Sequence, residues 1–190
     1  MKRWHAVVLA LAAAIAGFLI RQQVPRSAFS SPTILAQVQQ LSQLTTVRYT
    51  VQKIVTLTEE KKPLGSESIL LIVQARVEAG IDLSAIREQD IIVAPDGTVT
   101  IALPRPTILN AAIDEKDTKV WDRQKTWWTP WVPYSLDLEK KARLAGLETA
   151  KAGAIEMGIL PAAQHNAESA IRSLLGLAGI RKVVIRTATS

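Results

Sequence analysis

The side chains able to do acid–base, nucleophilic or metal chemistry are few in this chain and stand far apart. Among its 190 residues there is no cysteine and there are two histidines. His5 lies inside an apolar N-terminal run. His165 falls in a predicted helix with no second ligand at metal-binding spacing, so a surface histidine is expected. Glu78 and Asp82 flank Gly80 and form the one carboxylate pair spaced for general acid–base work. On a turning strand such groups serve better to hold backbone amides or to pair with Arg76 and Arg87. Asp114, Glu115, Asp117 and Asp122 cluster in sequence, but the glycine turn of a calcium loop is missing and Lys116 and Lys119 dilute the charge. A solvated loop is expected there. The sequence holds no Gly-rich phosphate loop, nucleophile elbow or His-Glu-x-x-His. The expectation is no enzyme, no metal and no cofactor.

Recognition chemistry is better represented. Four of the five tryptophans fall between Trp121 and Trp131, with Pro130, Pro133 and Tyr134 alongside. The prolines forbid a regular helix interior or central strand, so residues 121–134 are predicted to form a loop. Trp121, Arg123, Lys125, Trp127, Trp128, Trp131 and Tyr134 are its candidate binding residues. Three uses compete. The rings fold back as a lid over a sheet, burying their bodies and leaving the N–H wet. They insert at a membrane interface beside Arg123 and Lys125. Or they bind another protein, where Trp and Arg dominate contact energy. Stacking on single-stranded nucleic acid also needs a positive groove, which the interleaved acids do not supply.

The elements that must position this loop begin at a membrane. Residues 4–20 contain no Lys, Arg, Asp or Glu, with Lys2 and Arg3 before them and Arg21 after. A spanning helix needs roughly 17–25 such residues. The downstream stretches Arg26-Ser27-Ala28 and Ile34-Leu35-Ala36 put large side chains where a signal-peptide cleavage site wants small ones. Residues 1–21 are therefore predicted to be an uncleaved single-pass anchor, followed by a linker over 22–30. A slight charge bias puts the N-terminus inside and the body outside the cytoplasm. Ala10/Ala14 and Ala13/Gly17 are small-xxx-small pairs that would allow a homodimer through the anchor.

Residues 31–190 read as one α+β domain. The net charge is +6, of which Lys2 and Arg3 supply two, and charges alternate in sign along the body. That pattern argues against a nucleic-acid surface. Ser31 and Pro32 open a predicted helix carrying Ile34, Leu35, Val38, Leu41 and Leu44. From Thr45 the period changes to two, with a bulge expected between Val51 and Ile54. Residues 68–77 are apolar on both faces and predict a central strand, paired with the first in a long antiparallel hairpin. A bend is expected at Gly80 and Asp82, with Ser84 capping a short turn. Residues 91–103 form a hairpin around Asp96-Gly97, and residues 107–113 are extended or form a short turn. Two helices follow, over 136–157 and from 160 to about 177, the first with Leu138, Ala142, Ala145, Thr149 and Ala152 on its apolar stripe. A last strand covers 181–187. The order predicts a mostly antiparallel sheet covered by helices.

Val77-Glu-Ala-Gly-Ile-Asp-Leu-Ser84, Asp90-Ile91, Ile101-Ala-Leu-Pro104 and Ile113-Asp114 resemble the core of a bacterial family known as domain of unknown function no. 4230. Met157-Gly-Ile-Leu-Pro161, Asn166-Ala167 and the closing Val-Val-Ile strand extend the likeness, which covers roughly residues 45–187. The resemblance implies an N-terminal anchor and an extramembrane α+β domain. It brings no activity and no catalytic residues, and the Trp-rich segment matches none of its motifs. The sequence thus predicts a membrane-anchored, non-enzymatic binding or scaffolding module for a membrane or envelope protein. The alternative is a lipid- or small-ligand-binding domain at the bilayer surface.

Overall fold

A computed structural model of the chain describes residues 30–39, 43–62, 65–126 and 133–188. The predicted anchor, nearly all of the linker, and Trp127, Trp128 and Trp131 lie outside the described residues. Among the described residues no helix is long and apolar enough to cross a membrane.

The architecture is α+β, built on one long antiparallel hairpin. Strand β1 (Gln43–Glu60) pairs along its whole length with β2 (Ser66–Asp82). At about 3.3 Å per residue β2 runs for roughly 55 Å. Its inward positions Ile69, Leu71, Val73, Ala75, Val77, Ala79 and Ile81 are all fully buried. Two shorter strands share its other edge. β5 (Thr107–Ile113) pairs with residues 75–80 and β6 (Lys119–Lys125) with residues 67–72, so β2 is central as expected. Two 3-10 turns (Leu83–Ala85 and Glu88–Asp90) lead to β3 (Ile91–Val93) and β4 (Val99–Leu103). Gly97 adopts φ +81 in the tight turn between these two strands. The second sheet is completed by β7 (Val183–Thr187), which lies parallel to β4. The fold therefore has two sheets where the sequence predicted one.

Helix α1 (Ser31–Gln39) packs Ile34 and Val38 at the far end of β2 and against the second sheet. Its first free N–H groups bond to the Ser30 carbonyl, so the chain enters the helix one residue earlier than the predicted Ser31 cap. Leu44 belongs to β1 and not to the helix. The expected bulge at Val51–Ile54 is absent. The register shift lies at Thr46, and Ile54 simply points to the open face of the sheet, 67% exposed.

Helices α2 (Leu138–Glu156) and α3 (Ile159–Leu177) cover the other face. The stripe of α2 that meets the sheet is Leu138, Ala142, Gly146, Ala150, Gly153 and Ala154; Thr149 and Ala152 are exposed and Ala145 half-buried. Gly146 lets the helix sit down on β2, because a Cβ there would lie 2.5 Å from Val73 Cγ2. Gly80 is no bend. It continues β2, and a Cβ would lie 1.9 Å from the Leu44 carbonyl oxygen. The true turn follows at Asp82, whose carboxylate accepts from the Ser84 N–H (3.0 Å) and hydroxyl (2.5 Å). Asp82 and not Ser84 is thus the cap.

Candidate functional site

The period-two pattern of β2, carried back from Ile69, puts Glu67 on the inward, helix-covered face. A carboxylate there must be paired, since an isolated buried charge is strongly disfavoured. Glu67 is fully buried, and its partners come from three segments. Arg123 of β6 reaches Oε1 through Nε at 2.8 Å and Nη2 at 2.6 Å. Lys61, from the hairpin turn, places Nζ 3.0 Å from Oε2. The Ser135 backbone N–H donates to Oε2 at 2.8 Å. Arg123 Nη2 also donates to the Ser135 carbonyl at 2.6 Å. Burial pushes the Glu67 carboxyl up, but the Ser135 N–H, Lys61 and Arg123 outweigh it and hold it below the usual carboxylate range. The group stays ionised, and its role is to hold two chain segments together.

Those segments are the two ends of the Trp-rich stretch. Residue 123 lies near its start and residue 135 directly follows it, so one buried carboxylate fastens both. A second tie lies beside it: the Ser66 N–H donates to Thr126 Oγ1 at 2.8 Å, and the Thr126 N–H to the Ser66 carbonyl at 3.0 Å. The Tyr134 ring is covered by Arg123 and Lys125, each 4.8 Å from its centroid. The described aromatic residues of this segment are on the surface. Trp121 is 66% exposed, with Lys119 Nζ 6.0 Å from its ring centroid, and Tyr134 is 51% exposed.

This corrects the sequence reading of a loop at its start, over residues 121–125. Trp121, Arg123 and Lys125 are strand residues of β6, and Trp121 stands at the register shift opposite Leu70 and Leu71. The fold brings Arg123, Lys125 and Tyr134 together. Trp127, Trp128 and Trp131 lie outside the described residues. Sequence reasoning missed Glu67 and Lys61. The signal for Glu67 was present in the phase of β2; nothing local marked Lys61.

The other candidate groups are taken up individually. Glu78 pairs with Arg48 across the hairpin (2.6 Å), four residues along β2 from Asp82, so the two carboxylates serve separate local bonds. Arg76 pairs with Asp114, and this ion pair together with the Lys116 N–H holds the Asp114 carboxyl low. Asp117 accepts from Gln74 (2.9 Å), Glu115 from Arg143 (2.6 Å) and Asp122 from Gln124 (2.7 Å). Among the described residues no group of three or more His, Asp or Glu is placed to hold a metal ion. His165 is exposed on α3. An open depression of about 610 Å³ lies between the β3–β4 turn and residues 179–182, where Asp96 faces Lys182 at 3.4 Å.

No curated protein and no solved structure matches the chain. The sequence profile of the family described as "Protein of unknown function (DUF4230)" matches residues 36–185, most of the chain, and the chain belongs to that family.

Proposed function

We propose that this protein is a non-enzymatic binding module, tethered to a membrane by residues 1–21 with its body outside the cytoplasm, and that the Trp-rich segment is the surface by which it holds a membrane or envelope protein. The observation that carries this reading is the fastening of both ends of the segment to buried Glu67. A segment closed at its base loses less entropy on binding than a free loop of the same composition. The exposed rings of Trp121 and Tyr134 favour a docking surface over a lid, because a lid would bury the aromatic bodies.

The lipid-binding alternative needs cations free to meet headgroups beside the rings. Arg123 is committed to Glu67 and Ser135, and Lys125 lies over Tyr134. That favours a protein partner. Residues 31–190, purified as a soluble body, should stay in the supernatant when sedimented with anionic liposomes. Pelleting that disappears when Trp127, Trp128 and Trp131 are all replaced by Ala would favour the lipid reading instead.

A further inference from the structure

Among the described residues nothing pairs with the outer edge of β1. From Val47 to Glu60 this edge runs without a register shift, and it contains no proline. Long, regular, open edges are templates for strand pairing, and proteins usually blunt them. The opposite edge of the sheet is blunted: β5 and β6 are separated by the 114–118 turn, and each has a register shift against β2. At the start of β1 the edge is closed, since Asn166 donates to the Thr46 carbonyl at 3.1 Å. Beyond that point it is left open.

We propose that β1 pairs antiparallel with β1 of a second copy, about a two-fold axis that passes through Ile54 along the sheet normal. Such an axis keeps the helix-covered faces of both copies on the same side. It also requires that paired residue numbers share parity, which a centre at residue 54 satisfies. The exposed face of β1 then becomes self-complementary. Ile54, 67% exposed in one copy, meets Ile54 of the other. Thr50 meets Thr58, Gln52 meets Thr56, and Arg48 meets Glu60, all exposed positions. Thr–Thr and opposite-charge pairs are favourable across an antiparallel ladder. Arg48 already pairs with Glu78 inside each copy, and its forked guanidinium has donors left for a second carboxylate. The result is a row Glu78–Arg48–Glu60 across the seam, formed twice by symmetry.

The covered face agrees. Val51 meets Leu57, and Lys53 meets Val55, with the lysine stem folded against Gly153. Glu59 Oε2 is buried with no hydrogen-bond partner among the described residues, and this register sets the phenol of Tyr49 opposite it. The flank of α2 on this side is marked by the Lys141–Glu59 ion pair at 3.3 Å. It carries Ala145, Thr149 and Ala152, small enough for two α2 helices to lie side by side at the usual 8–10 Å separation.

The absence of cysteine makes the test direct. Single cysteines are placed at exposed positions of the full chain, which is then oxidised mildly in native membranes. Ile54→Cys should give a disulfide-linked dimer at least tenfold more abundantly than Thr58→Cys alone, whose two copies stand about 26 Å apart along the strands at ~3.3 Å per residue. Co-expressed Thr50→Cys and Thr58→Cys chains should cross-link to each other. Equal yields at positions 54 and 58, as a dimer held only through residues 4–20 would give, overturn the proposal. So does a lack of product at 54, or product at 54 without the mixed 50/58 dimer.

Discussion

Glu67 shows how one residue ties the core to the two sides of the Trp-rich segment. It is buried among two cations and a backbone N–H, and removing its charge leaves Arg123 and Lys61 without their counter-ion. Glu67→Gln should therefore cost on the order of 2–3 kcal/mol in urea unfolding at neutral pH, somewhat less than breaking a fully buried pair because both cations are partly exposed. The sign of the pH dependence follows from the lowered carboxyl of the folded chain. The unfolded chain binds this proton more readily, so stability contributed by Glu67 is complete above the unfolded value of about 4.3 and falls as pH drops through the folded value. The gap between wild type and Glu67→Gln should be constant from pH 8 to 6 and close below about pH 4. Part of this was legible in the chain. The alternation of β2 places Glu67 inward, but its partners come from a turn, another strand and a loop end, and no local pattern joins those.

At the scale of elements, backbone clearance decides more than propensity does. Gly80 faces the Leu44 carbonyl and Gly146 faces Val73. Gly80→Ala should destabilise by at least about 3 kcal/mol, since backbone must move, while Gly146→Ala should cost about 1–3 kcal/mol, since a valine side chain can shift. Thermal unfolding of the two variants checks the order. The sequence gives the hairpins, the two long helices and the central place of β2 through clear periods of two and 3.6. It misplaces details where residue types carry no contrast. Ala145 and Gly146 differ little in hydropathy, so the buried stripe of α2 is set by which residue can lie against Val73 without a Cβ and not by hydrophobicity. Leu44 suits the end of a helix and the start of a strand alike, and pairing with Ile81 decides it. Ile54 suggested a bulge because it is apolar on an outward position. In the proposed pairing of two copies that position meets its own counterpart.

For the whole molecule, the division into two sheets rests on contacts distant in sequence. β7 pairs with β4 across some eighty residues, and α3 spans both sheets, with Ala163 over the hairpin and Ile171 and Leu175 over β4 and β3. No local period announces that. The arrangement puts the base of the Trp-rich segment at the turn end of the long hairpin and α1 at its other end. The central claim is that this segment holds a protein partner at a membrane. It is tested most directly by affinity purification of the full-length chain from gently solubilised native membranes, beside a variant with Trp127, Trp128 and Trp131 replaced by Ala. The account predicts a stoichiometric partner with the wild type, lost at least tenfold in a variant that keeps its thermal unfolding temperature. A partner retained in full by the variant, or no stoichiometric partner with either chain, would contradict it.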